Sequence, residues 1–121
     1  DDPHALYERG FTRWAARDLR GAREDLERVV ALQPTAASWT LLAGVRVGGG
    51  DAAGGEQAFD RALALDPDYL EALTNRAALR LQRRDLEGAA ADVDRSLVLS
   101  PRSVQALMLR GDLSREQGDL Q

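Results

Sequence analysis

Enzymatic chemistry needs a nucleophile, a base or a metal held in position, and these 121 residues offer little: one histidine, no cysteine, and scattered carboxylates. His4 stands near the start, where an exposed or groove-edge position fits better than a ligand or a general base. Asp85, Asp92 and Asp94 are close in sequence, but they fall on a helical stretch and its turn, without the spacing of a calcium loop. The glycine-rich stretch 48–55 lacks the lysine of a phosphate-cradling loop, and no strand pattern precedes it to make a dinucleotide site. We therefore expect no catalytic residue, no metal, no cofactor and no enzymatic activity in this chain.

Composition narrows the partners. The 16 basic residues, all arginine, face 20 acidic ones for a formal charge of -4, the wrong sign for a protein held to phosphate backbones. Nucleic acid is excluded on that ground. Lysine and isoleucine are both absent, a bias more economically explained by a GC-rich coding sequence than by recognition, and it points to a bacterial source. No apolar run approaches the roughly 20 residues needed to cross a bilayer, so no membrane insertion is expected. The opening Asp1-Asp2-Pro3-His4 has neither an apolar signal core nor an initiator methionine and reads as an excised or processed start. The compartment stays open, with the cytoplasm as default.

What positions the side chains is an internal repeat. Helix-stopping prolines recur at Pro34, Pro67 and Pro101, spaced 33 and 34 residues apart. Turn aspartates recur at Asp18, Asp51, Asp85 and Asp119, and small residues at Gly10, Ala43, Ala77 and Gly111, in the same step. A second small series, Ala22, Gly55 and Ala89, keeps time with them. Each period has room for two helices, and its apolar positions recur at helical spacing rather than in alternation. The unit is a helical hairpin. Each aspartate can accept from the free N–H groups that open the second helix, and each proline lacks the N–H needed to continue it. Five glycines around the second turn predict that the second helix of the middle unit frays first.

The pattern resembles the tetratricopeptide repeat, W-x2-L-G-x2-Y, then A-x3-F, then P. The middle unit carries Trp39-x2-Leu42-Ala43, Gly55-x3-Phe59, Ala62 and Pro67. The outer units carry Leu6-x2-Arg9-Gly10 with Ala22-x3-Leu26, and Leu73-x2-Arg76-Ala77 with Ala89-x3-Val93. The tyrosine of the pattern is missing at Arg13, Arg46, Arg80 and Ser114. The resemblance implies an all-α, right-handed superhelix of stacked hairpins, one repeat domain over 1–121, with units near 3–35, 36–69 and 70–103. The remainder, 104–121, is a partial unit whose end in Gly118-Asp119-Leu120-Gln121 suggests a parent chain that continues, or else a capping helix.

Two constellations stand out within this frame. Arg9 and Arg76 replace the leucine of the pattern where Asp25 and Asp92 occupy matching places on the second helices; the middle unit has Leu42 and Ala58 there. Basic and acidic residues are present together or absent together, which predicts an Arg–Asp bridge across each outer hairpin. Arg110 has no acidic counterpart. The second constellation is the concave groove that the family's first helices line. The resemblance implies a peptide-binding surface of Tyr7, Phe11, Trp14, Leu41, Val47, Thr74, Asn75, Ala78, Leu81, Gln82 and Met108, flanked by His4, Glu8, Thr40, Gly44, Glu71, Leu109 and Asp112. Tyr7, Phe11 and Trp14 make an aromatic stripe that is either a pocket for an apolar or aromatic anchor or internal packing. The carboxylate clamp that some members use for chaperone tails is not visible, because Tyr7, Phe11, Leu41 and Glu71 hold places that need basic or amide groups. The expected function is a scaffold that binds a peptide or protein segment. The alternatives are a structural module that self-associates through terminal faces around Leu107, Leu109 and Leu113, and a recruitment domain of a larger enzyme.

Overall fold

A computed structural model of the chain describes residues 2–118, and they form helices joined by short turns, with no strand among them. In order these are α1 (Pro3–Ala15), α2 (Leu19–Leu32), α3 (Ala36–Gly48), α4 (Ala52–Leu65), α5 (Leu70–Gln82), α6 (Leu86–Leu99) and α7 (Val104–Gly118). They group into two compact units, Asp1–Pro67 and Asp68–Gln121.

The turn inside each hairpin is built the same way three times. The residue before the turn aspartate takes a left-handed backbone, with φ of 68° at Arg17, 87° at Gly50 and 66° at Arg84. That twist lets the aspartate N–H reach back to the first helix, Asp18 to the Arg13 carbonyl (2.8 Å), Asp51 to Arg46 (2.9 Å) and Asp85 to Arg80 (2.8 Å). The aspartate side chain then caps the next helix, accepting from the N–H of Gly21 (3.0 Å), Gly54 (2.9 Å) and Gly88 (3.0 Å). A β-carbon on any of these three glycines would collide with the capping carboxylate as it is placed here. Sequence reading credited the neighbouring series, Ala22, Gly55 and Ala89, and overlooked this one. The fourth turn aspartate, Asp119, lies outside the described residues. At the far ends, α2, α4 and α6 stop two residues before Pro34, Pro67 and Pro101, and the intervening Gln33, Asp66 and Ser100 have all left the helical backbone region, which a following proline disfavours.

In the first unit, α1 pairs with α2 and α3 with α4, while α2 also packs on α3. Its core is Ala22, Leu26, Val30, Leu41, Leu42 and Val45, with Tyr7, Trp14 and Trp39 packed on its margin. Small residues set the helix separation: a β-carbon on Gly10 would stand 3.0 Å from Leu26 Cγ. In the second unit, α5 pairs with α6, and α7 lies on both around Ala77, Ala89, Val93, Leu109 and Leu113. The glycine-rich α4 is fully helical. Its Gly55 sits where any side chain would run into Val47 of α3, so that glycine serves the helix crossing and not a hinge.

Candidate functional site

The bridge foreseen across the outer hairpins is present in both. Arg9 donates from Nε to Asp25 Oδ2 (2.9 Å) and from a terminal nitrogen to Oδ1 (2.7 Å). Arg76 grips Asp92 with the same fork, at 2.8 and 2.7 Å. Each aspartate also receives a second arginine, Arg13 on Asp25 and Arg80 on Asp92, both at 3.1 Å. Both carboxylates are buried. The Arg9 hydrogen bonds hold the Asp25 carboxyl below its ordinary value; burial pushes it up, and the charges of Arg13, Arg9 and Arg28 reinforce the lowering. The middle hairpin seals the same place with Leu42 and Ala58, both fully enclosed. Arg46 there turns to the Gly54 carbonyl (3.1 Å) and to Glu27 (3.6 Å). Arg46, Arg76 and Arg80 are therefore largely enclosed in their hairpins, whereas Arg9 and Arg13 reach their buried aspartate from a more exposed position.

Of the groove residues proposed for the first unit, Phe11 is the exposed one, with 54% of its surface in solvent. Its ring meets Trp14 edge to face, centroids 6.4 Å apart at 88°. Trp14 is half-buried, and its six-membered ring lies over α3, where a β-carbon on Gly44 would come within 3.0 Å of Cη2. A glycine at that place is what lets the indole seat. Tyr7, also half-buried, packs on the same core. A shallow depression beside the rings is lined by Tyr7, Glu8, Phe11 and Thr12, and Glu8 pairs with His4 at 3.2 Å on the rim. Leu41 is enclosed in the core and Val47 is half-buried against Gly55. The stripe thus divides into a braced base, Tyr7 and Trp14, and a presented ring, Phe11.

In the second unit Thr74 is buried and returns its hydroxyl to the carbonyls of Leu70 (3.1 Å) and Glu71 (3.2 Å). Asn75 accepts a hydrogen bond from Gln105 of α7 (3.0 Å). Ala78 and Leu81 are half-buried against the core, whereas Gln82 and Met108 are exposed. Leu109 and Leu113, expected on an exposed terminal surface, instead pack into the second unit's core, because α7 turns them toward α6. The apolar residues that α7 leaves in solvent are Val104, Leu107 and Met108.

The family model for the tetratricopeptide repeat matches residues 7–69, 42–101 and 74–121, together nearly the whole length. The chain belongs to the tetratricopeptide repeat family. Solved repeat domains share its fold. The first such domain of Spaghetti (RPAP3), bound to the HSP90 peptide SRMEEVD, superposes with a TM-score of 0.91 at 23% identity, covering 96% of this chain and 95% of that one. The Sgt2 domain from Aspergillus fumigatus gives 0.92 at 15% identity over 99% and 82%. MamA gives 0.91 at 18% identity over 98% and 70%. Among curated proteins no sequence matches the chain. The pattern's missing tyrosine has a physical counterpart here: in this tetratricopeptide protein Arg13 and Arg80 occupy that place and supply the second cation on each buried aspartate. The sequence signal was present as arginines four apart on one helix, 9 and 13, then 76 and 80.

Proposed function

We propose that the chain is an interaction scaffold that holds a peptide or protein segment, with the α1 face of its first unit supplying an apolar anchor site at Phe11. The observation that carries this is the exposed Phe11 ring braced edge-on by Trp14, beside a depression lined by Tyr7, Glu8 and Thr12. A rigid aromatic on a packed base offers contact area at small entropic cost. Solved relatives of the same fold that carry HSP90 and HSP70 peptides support peptide binding as the mode. The residues argue for a different ligand class from those acidic tails. Arg9, Arg13, Arg76 and Arg80 are engaged with Asp25 and Asp92, while Glu8 and Glu71 would repel a carboxylate. The partner segment is accordingly apolar or aromatic at its anchor, and the chain contributes no chemistry of its own. No helix among the described residues is long and apolar enough to cross a membrane.

Selection from a random phage-displayed peptide library tests the reading. Enriched peptides should carry an apolar or aromatic anchor and should bind the Phe11→Ser variant at least roughly tenfold more weakly, a loss of about 1.4 kcal/mol. Melting should be unchanged, since the ring is more than half exposed. Equal binding by the variant would sink the proposal. Self-association is the second reading, favoured by the exposed Val104, Leu107 and Met108 on α7.

A further inference from the structure

The first unit breaks a rule of helix electrostatics that the second unit keeps. Helix α2 begins at Leu19 and carries Arg20 in its first turn and Arg23 just beyond, with no acidic residue in that turn. The free N–H groups at a helix start make that end electropositive, so a cation there costs stability and a carboxylate adds to it. At the matching places the middle unit has Ala53 and Glu56, and the third has Glu87 and Ala90. Glu87 lies in the first turn of α6, as the dipole favours. Nothing within the chain compensates the arginines of α2. Arg20 meets Glu24 at 3.5 Å with its side chain 86% exposed, a pairing of little worth, and the Arg23 side chain takes no partner among the described residues. A local rule broken without internal compensation marks a place where function has set the residue types.

The two arginines border a hollow of about 340 Å³ between the start of α2 and the end of α3, with Leu19 and Val45 as its apolar lining. Arg46 lines it as a third cation, fixed by the Gly54 carbonyl and by Glu27. One carboxylate lines it too, Asp51, which accepts from the Gly54 N–H as the cap of α4. The hollow itself belongs to the fold, since the second unit has one at the matching place beside Leu86. That one is lined by Asp85 and Glu87, and its arginine, Arg84, is paired with Glu116. The shape recurs and the free cations do not.

We infer that the hollow at Arg20, Arg23 and Arg46 is an oxyanion site that takes an acidic side chain of a partner polypeptide, a carboxylate or a phosphorylated hydroxyl. Arg20 and Arg23 offer planar forks that match an acid with two or more oxygens, and Arg46 adds a fixed charge. The electropositive start of α2 adds its field in the same direction. Leu19 and Val45 cover the aliphatic stem of the incoming side chain. A single acidic side chain fits better than a polyanion, because the chain as a whole carries -4 and repels extended negative charge. The hollow shares no lining residue with the depression beside Phe11. That the acid is carried on a polypeptide rests on the scaffold reading; the oxyanion site does not.

The test is a nuclear magnetic resonance titration of the isotope-labelled chain at low ionic strength. Three synthetic peptides, identical but for a central phosphoserine, glutamate or serine, are compared with inorganic phosphate alone. We expect shifts of the Arg20 and Arg23 side-chain N–H signals and of amides 19–23 and 45–51 with the acidic peptides, and none with the serine peptide. Phosphoserine bound roughly tenfold more tightly than glutamate would assign the acid as a phosphorylated hydroxyl, and equal binding as a carboxylate. Arg23→Ala should weaken the acidic peptides roughly tenfold. Arg102→Ala, the same loss of charge at an exposed arginine of the second unit, should leave them unchanged, as should Phe11→Ser. Circular dichroism checks that each variant keeps its helices. Equal weakening by Arg23→Ala and Arg102→Ala, equal binding of the serine peptide, shifts elsewhere, or no shift with any ligand would each overturn the site. Shifts with inorganic phosphate but with neither acidic peptide would overturn the polypeptide source.

Discussion

Asp25 and Asp92 are alike in sequence context and almost alike in burial, yet their loss should not cost the same. Around Asp92 the two arginine side chains are 16% and 18% exposed; around Asp25 they are 56% and 36% exposed. Removing one partner of an enclosed pair strands the other without water, whereas an exposed arginine simply rehydrates. Asp92→Ala is therefore expected to lower unfolding free energy by about 3–5 kcal/mol, and Asp25→Ala by about 1.5–3 kcal/mol, read from urea midpoints. Similar small losses from both would mean the networks are ornamental. The pH dependence follows from the lowered Asp25 carboxyl. A carboxyl held below its unfolded value contributes stability that is complete above about pH 4 and is lost as pH falls through the folded value. The stability gap between the parent and Asp25→Asn should be full at neutral pH and close on acidification below that point. At the turns, Arg17 takes a left-handed backbone that Gly50 takes at no steric cost. Arg17→Gly should raise stability by about 0.5–1 kcal/mol, whereas Arg84→Gly should gain less, because Arg84 also pairs with Glu116 of α7 at 2.5 Å.

At the scale of the helix, small residues decide where axes cross, and each serves one crossing. Gly44 is the seat of the Trp14 ring, and a β-carbon there would stand only 3.0 Å from its Cη2. Gly44→Ala should push α3 and the α1 indole apart by a few tenths of an ångström, seen as a shifted Trp14 emission in a Trp39→Phe background. Gly111→Ala, with open space around it, should instead stabilise α7 by about 1 kcal/mol through helix propensity alone. Opposite signs from two glycines in first helices would show that context, and not residue type, sets the effect. The glycine pair Gly54-Gly55 in the first turn of α4 leaves the local weakness expected from sequence open to measurement: amides in the first turn of α4 should exchange faster than those in the first turn of α6.

For the whole molecule, the question is whether the exposed apolar residues meet a different protein or another copy. Sedimentation velocity over a concentration series separates the two, and the exposures choose the probes. Leu109 and Trp14 are poor ones, since both pack against cores and their truncation would open cavities. Met108→Ser and Phe11→Ser alter exposed side chains on separate units. A monomer throughout is expected on the scaffold reading; a reversible oligomer abolished by Met108→Ser would transfer the weight to self-association through α7.

Periodicity determined the hairpin and its turns, and the residue types set in that period carried the resemblance to the family, because helix caps, helix-stopping prolines and close-packed small residues each demand a particular residue at a particular place. The Arg9–Asp25 and Arg76–Asp92 bridges were legible for the same reason: a buried charge is tolerable only with its partner, so the two vary together. The second arginine on each aspartate was visible only as a missing tyrosine, since distance along the helix does not show where a long flexible side chain ends. The candidate face was legible least. Tyr7, Phe11 and Trp14 share one stripe in sequence, but which ring is presented and which is packed depends on the neighbouring helix and its glycine at position 44. The same holds for α7, where Leu109 and Leu113 turned inward and Leu107 did not. Burial is a property of what lies opposite a side chain, and only the tertiary structure places something there.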